Sequence, residues 1–323
     1  MARSGAVTAR ALGRKASLVD LSTRVGAVAL PSPVMTAAGT SGHGAELSAY
    51  FDLSSLGAVV VKSLSAEPWP GNAAPRVHES DSGMLNSVGL QNSGVRAWME
   101  SELPALAAAG ARVVASIWGR SVNDYGTVAA ALRDAPQSVV AVEVNLSCPN
   151  LDGGRHMFAH STSATEEAIA AAVVCGRPVW AKLSPNVADV TEIAAAAERG
   201  GAEALTLVNT VMGMAIDTET RRPFLGAGAG GLSGPAIRPV AVRALHECHV
   251  AFPELPLVGV GGVSRGEHAV ELLLAGASAV QVGTATFADP RAPARVLAEL
   301  REWCVRHDVG TVSELVGSMN GTS

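Results

Sequence analysis

From residue 30 onward, short apolar or β-branched runs alternate with longer segments whose apolar positions recur at helical spacing. The runs predict strands at 32–36, 58–62, 112–118, 139–145, 178–183, 204–209, 256–259 and 279–282. The longer segments predict helices at 45–55, 95–109, 121–134, 164–175, 187–200, 235–250, 265–275 and 291–308. Pro235 after Ser233-Gly234, and Ser264 before Arg265, are helix-start signals. Most of the strands are apolar throughout instead of alternating in polarity, as a parallel sheet covered on both faces requires. Eight strands alternating with helices predict a single α/β domain, a (β/α)8 TIM barrel, with an open doubly wound sheet as the competing arrangement. The barrel is placed at 18–316, between a flexible tail at 1–17 and a short tail at 317–323. Two connections, 63–93 and 210–234, exceed ordinary loops and are expected on the carboxyl-terminal rim as lids or small accessory ribbons.

Composition narrows the class without naming a function. With 323 residues, 48% hydrophobic and 16% charged, the chain can bury a large core and is not a disordered segment. A net charge of −5 argues against a phosphate-neutralising surface for nucleic acid. No apolar stretch reaches the roughly 18–20 residues of a membrane span, so a soluble protein is expected. The four cysteines show neither CxxC spacing nor a cluster with histidine, so no metal site or disulfide framework is indicated and a reducing cytoplasm fits best. Residues 1–17 are basic and acid-free, like a transit peptide, but they lack the apolar core of a secretory signal; a frayed tail is the favoured reading.

Candidate chemistry gathers just after the predicted strands, at 62–63, 145–150, 182–186, 209–210, 261–262 and 283–284, which a barrel would bring to one rim. Glycines after the seventh and eighth strands suit a phosphate held on backbone N–H groups, although each alone would also serve as a tight turn. Of 24 basic residues only three are lysines, Lys15, Lys62 and Lys182, and the last two each end an apolar strand. Either could be a rim residue with its head in water. Either could instead hold an ammonium beside a redox ring or a substrate carboxylate, a reading that the scarcity of lysine favours. Cys148 lies in a loop between Ser147 and Pro149 and could act as nucleophile or, as thiolate, general base, from a reference pKa of roughly 8.5. Cys175, Cys248 and Cys304 read as core or surface fillers. The eight histidines lack zinc spacing, and only an unproved helix would bring His156 and His160 to Cys148.

These segments in this order resemble the dihydroorotate dehydrogenase family, from about Asp20 to Leu315. The resemblance is carried by Asn72-Ala-Ala-Pro-Arg76, by Gly83 to Asn92 (GMLNSVGLQN), by Asn145-Leu-Ser-Cys-Pro-Asn150 and by Lys182-Leu-Ser-Pro-Asn186. Asn209-Thr210, Gly230-Gly-Leu-Ser-Gly-Pro235, Gly261-Gly262 and Gly283-Thr284 complete it. It implies a barrel holding FMN that oxidises (S)-dihydroorotate to orotate in de novo pyrimidine biosynthesis. Cys148 would remove the C5 proton while hydride leaves C6 for the flavin N5. Lys62, Asn86, Ser87, Val88, Gly89, Leu90, Asn145, Asn209 and Thr210 would hold the substrate. Lys182 would face the flavin ring, Gly39, Lys62, Ser63, Ser116, Asn145 and Val208 would lie about it, and Gly234, Gly261, Gly262, Gly283 and Thr284 would cradle its phosphate.

The Gly-Leu-Gln-Asn run and the Gly153-Gly154 pair resemble the class 1B, NAD-linked catalytic subunit. That class implies a homodimer joined into a heterotetramer by a subunit carrying FAD and a [2Fe–2S] cluster, which this chain cannot supply: it has neither clustered thiolates nor a dinucleotide fingerprint. A fumarate-linked class 1A enzyme, a pyrimidine-reducing barrel of the dihydropyrimidine dehydrogenase type and a non-catalytic phosphate-binding barrel are the alternatives. The chain departs from the family pattern at Ser116, where Asn is common, at the bulky Trp118, and in the loop 151–158.

Overall fold

The computed structural model describes residues 19–147 and 157–319. A hairpin of β1 (Thr23–Val25) and β2 (Val28–Leu30) precedes β3 (Val34–Thr36) and β4 (Val59–Val60). The first long connection holds β5 (Val77–Ser80) and β6 (Gly83–Asn86). Then come β7 (Val113–Ile117), β8 (Val139–Asn145), β9 (Val179–Leu183) and β10 (Ala204–Leu207). The second long connection holds β11 (Val211–Gly213), β12 (Ile216–Asp217), β13 (Arg222–Pro223) and β14 (Gly230–Ser233), and β15 (Leu257–Val260) and β16 (Ala277–Val282) complete the set.

Eight of these strands form one parallel sheet in the order β3-β16-β15-β10-β9-β8-β7-β4. Its two ends meet. Gly57 N–H donates to Val34 O at 2.8 Å, Thr36 N–H to Ala58 O at 3.3 Å, and Val60 N–H to Thr36 Oγ1 at 2.9 Å. The approach needs glycine at 57, where a Cβ would lie 2.4 Å from the Ser32 carbonyl oxygen. The result is the expected (β/α)8 barrel, and the open-sheet alternative is excluded.

The helices follow the sequence closely, with two departures. The segment 45–55 forms two short 3-10 turns, Glu46–Ala49 and Leu53–Ser55, instead of a helix. Asp52 between them is extended, at φ −72° and ψ 111°, and its carboxylate accepts the Ser54 N–H at 2.9 Å, a local bond that competes with helix. The stretch expected at 95–109 is split into Val95–Ser101 and Leu103–Ala108, the second opening with Pro104 in its first turn.

Inside the barrel, alternate residues of each strand point to the axis. The lower layer is apolar: Met35, Val60, Val114, Ala141, Trp180, Ala204, Val258 and Ala279 pack together and are sealed from below by Val25, Val28 and Leu30 of the hairpin. Two residues further along five of the strands, the same face carries Ser116, Glu143, Lys182, Thr206 and Gln281, all buried. Outward-facing residues pack against the helices in a second, larger core. Burial therefore accounts for the base of the barrel, whereas the polar layer above it requires hydrogen-bond partners.

The two long connections make one structure. β11, β14, β6 and β5 form an antiparallel sheet, and β12 and β13 a small ribbon beside it. Residues far apart in sequence pair closely: Leu85 opposes Leu232, and a Cβ on Gly83 would fall 1.9 Å from Ser233 O.

Candidate active site

A cavity of about 650 Å³ opens between the carboxyl-terminal ends of the barrel strands and the antiparallel sheet. Its phosphate-sized end is glycine-walled. Gly261 and Gly262 after β15, and Gly234 after β14, have φ of 137°, 72° and 96°, conformations that side chains rarely adopt. Gly283 and Thr284 after β16 line the same end, Thr284 Oγ1 donating to Ser233 Oγ at 2.8 Å. Ser264, expected from the sequence only as a helix start, and Arg295 also line this end, and neither was among the predicted site residues. Arg295 comes from the helix Ala292–Arg306 and donates to Ser264 O at 3.0 Å and Glu299 Oε1 at 3.1 Å. Asp289, on the same wall, has its pKa lowered by the Arg291 backbone N–H and guanidinium.

His268 supports Ser264 from behind. Its Nδ1 lies 3.2 Å from Ser264 Oγ and its Nε2 2.9 Å from an Arg238 guanidinium nitrogen. Arginine only donates, so Nε2 accepts, and Nδ1 faces the Ser264 N–H, which donates to it at 3.3 Å, as well as the hydroxyl; donors on both ring nitrogens suit an uncharged imidazole. Burial, then Arg238 and Arg265, lower the pKa of this imidazole and favour that neutral form.

The middle of the cavity is floored by Lys62, Ser63, Asn145, Lys182 and Val208, with Gly39 at its side. A Cβ at Gly39 would come within 3.3 Å of Lys62 Nζ, so the missing side chain makes room for the ammonium. Ser116 and Trp118 are not on the cavity wall. Ser116 stands behind Ser63, their hydroxyls 2.8 Å apart. Trp118 meets Trp69 edge-on, and the Arg120 guanidinium caps the Trp69 ring at 3.5 Å.

The third end is rimmed by Asn86, Ser87, Val88, Gly89 and Leu90 of the antiparallel sheet and by Asn209 and Thr210 after β10. Here the amides are oriented. Asn145 Oδ1 accepts from the Ser147 N–H at 3.2 Å and from Asn209 Nδ2 at 3.1 Å, which turns Asn145 Nδ2 towards Ser63 Oγ at 3.3 Å. Asn209 Oδ1 in turn accepts the Thr210 N–H at 2.8 Å. Asn186 ties this end to the sheet, donating to Thr210 O at 3.0 Å and accepting the Met212 N–H at 2.8 Å. Among the described residues, the buried hydroxyls of Ser87 and Ser147 have no partner although both residues line the cavity.

A second space of about 710 Å³ shares Gly39, Lys62 and Val88 with the first and is walled by His43 and Trp69. Burial and the Lys62 charge push the His43 pKa down.

Beneath the floor lies a residue that sequence reasoning missed. Glu143 is fully buried, and its carboxylate accepts from Gln281 Nε2 at 2.7 Å, Thr206 Oγ1 at 3.1 Å and Lys182 Nζ at 3.5 Å. The signal was available: an acid two residues before Asn145 in an otherwise apolar strand must share its inward face.

Cys148, and with it His156, lies outside the described residues, although Ser147 before it is on the cavity wall. The other three cysteines are free and buried, and burial pushes their thiols up, Cys248 to about 12. His160 is exposed. Among the described residues no acid, histidine and cysteine cluster could hold a metal, and no helix is long and apolar enough to cross a membrane.

The family model for dihydroorotate dehydrogenase matches residues 20–303. The chain belongs to the dihydroorotate dehydrogenase family. A dihydroorotate dehydrogenase B (NAD(+)) catalytic subunit of Geobacter sp. (strain M21) is 45% identical over 301 residues, 93% of this chain and 98% of the relative. A protein of Solibacter usitatus (strain Ellin6076), provisionally named a dihydroorotate dehydrogenase A (fumarate), is 47% identical with the same coverage. Another B (NAD(+)) catalytic subunit, from Desulforudis audaxviator (strain MP104C), is 46% identical over 310 residues. These are class 1 dihydroorotate dehydrogenases, and the chain is an oxidoreductase of that class.

Proposed function

We propose that this chain oxidises dihydroorotate to orotate on a bound FMN, with Cys148 as the general base. The observation that carries the reading is one cavity whose wall joins a glycine cradle, a buried lysine and a chain of oriented amides. The donor set fits FMN. Gly234, Gly261, Gly262, Gly283 and Thr284 would hold the phosphate, with Ser264 and Arg295 beside them. Lys182, Ser63 and Val208 would hold the ring, and the orphaned Ser147 hydroxyl is a free donor at that depth. When bound, FMN supplies the acceptor for the two electrons that leave the substrate as hydride.

The protein residues do the rest. Asn145, Asn209 and Thr210 offer fixed amide and hydroxyl groups to the flat substrate ring, and Ser87 adds an unpartnered hydroxyl from the opposite side. Lys62 brings a positive charge against the carboxylate. Cys148, as thiolate, takes the C5 proton while the C6–H bond breaks, so the substrate loses one proton and one hydride and gains the C5–C6 double bond. Lys182 sets a positive charge where the reduced ring gains negative charge. The antiparallel sheet excludes water from above.

We further infer that electrons pass to NAD through a partner subunit carrying FAD and an iron–sulfur cluster, as the names of the B (NAD(+)) catalytic subunits suggest. Fumarate is the second reading, favoured by the 47% identity to the Solibacter protein. The two separate in one assay of the isolated chain with dihydroorotate. Turnover with fumarate supports the fumarate-linked form. Turnover with NAD that appears only on adding an FAD and iron–sulfur subunit supports the NAD-linked one.

A further inference from the structure

We propose that Glu143 is a positioning residue for the flavin-facing lysine: it fixes the height of the Lys182 ammonium in the cavity floor and offsets its charge, and so sets the reduction potential of the bound cofactor. The proposal rests on the FMN reading above.

Glu143 does not line the cavity and touches nothing that reacts. It is fully buried in the interior of the barrel, where an uncompensated carboxylate is strongly disfavoured. Its partners come from three other strands: Lys182 on β9, Thr206 on β10 and Gln281 on β16. Two are neutral donors that hold one carboxylate oxygen, Oε2, while the ammonium faces the other, Oε1. Thr206 and Gln281 therefore hold Glu143, and Glu143 holds Lys182, whose side chain is 7% exposed at the cavity floor. Among the described residues, the carboxylate paired with this ammonium is that of Glu143, at 3.5 Å.

The electrostatic consequence is specific. A lone ammonium under the ring would favour the reduced, more negative cofactor strongly, whereas an ammonium paired from below presents a dipole with a weaker field. Glu143 thus moderates Lys182. Removing the negative charge while keeping the shape, in Glu143→Gln, unmasks the ammonium and makes the cofactor easier to reduce.

The test is the midpoint potential of the bound flavin, measured by dye equilibration. Glu143→Gln is expected to favour reduction by about tenfold, a shift of about 30 mV upward for a two-electron couple. Glu143→Asp, whose carboxylate is withdrawn by one methylene, should shift the potential the same way by less. In a Lys182→Met background, Glu143→Gln should add no shift of this kind, because the charge it unmasks is gone. An equal shift in both backgrounds, or none in the wild-type one, would overturn the proposal. If Glu143→Gln does not fold, Glu143→Asp decides alone, and an unchanged potential refutes the idea. Wild-type protein that takes up no FMN would overturn the cofactor reading itself, and this proposal with it; a flavin-loaded protein with an unmoved potential would overturn only the proposal.

Discussion

Cys148 and Lys182 would serve the same two-electron step, and their losses have different signatures at the scale of the residue. On the proposed reading, replacing Cys148 leaves Gly234, Gly261, Gly262, Gly283 and Thr284 unchanged and takes away the acceptor of the C5 proton. Cys148→Ala is expected to retain bound FMN and to slow its reduction by dihydroorotate by about 10²–10⁴-fold, the usual worth of a positioned base. Stopped-flow reduction checks this, and near-normal rates would remove Cys148 from the mechanism. In the wild type that rate should rise with pH as the thiolate forms. Lys182 could be found in the sequence because lysine is so scarce in this chain and because it closes an apolar strand. Its partner Glu143 is not found by the same route, because acids are not scarce in this chain and all but one residue of β8 is buried. Only the pleat, which gives 143, 145 and the inward face of β9 a common side, exposes it. Ser116 meets the site through a neighbour: its hydroxyl lies 2.8 Å from that of Ser63, which lines the cavity.

At the scale of the element, the antiparallel sheet shapes the end of the cavity rimmed by Asn209 and Thr210, and its glycines set how closely it can lie. A Cβ on Gly231 of β14 would fall 2.0 Å from Thr210 Oγ1, so Gly231→Ala must displace the threonine side chain. Its expected effect is a KM for dihydroorotate raised by about tenfold, roughly 1.4 kcal/mol of lost binding, with flavin content unchanged. An unaltered KM would show that Thr210 does not touch the substrate. The eight barrel strands were legible because each is a continuous apolar run bounded by turn residues. The accessory sheet was legible only as two long connections. Its strands are short, carry polar and glycine residues, and pair β6 with β14 across about 145 residues, a non-local match that no local pattern encodes. The segment 45–55 failed for the opposite reason: its apolar spacing suits a helix, but the Asp52 side chain captures a backbone N–H locally.

At the scale of the whole molecule, the chain divides its interior by height. An apolar layer with Trp180 at its centre supplies the stability, a buried polar layer converts that rigid floor into fixed charge and hydrogen bonds, and the cavity above receives them. Closure of the barrel by Thr36, Gly57 and Val60 makes the arrangement possible, because it brings the ends of six strands to one rim. The convergence of 62–63, 145–147, 182, 209–210, 261–262 and 283–284 on one cavity follows from that closure alone. The most direct test of the account is an anaerobic titration of the purified, full-length protein with dihydroorotate, followed by the flavin absorbance. The account requires a yellow protein whose flavin is bleached by about one equivalent of dihydroorotate per bound FMN, with orotate as the product. A colourless protein, or a bound flavin that dihydroorotate leaves oxidised, would contradict it.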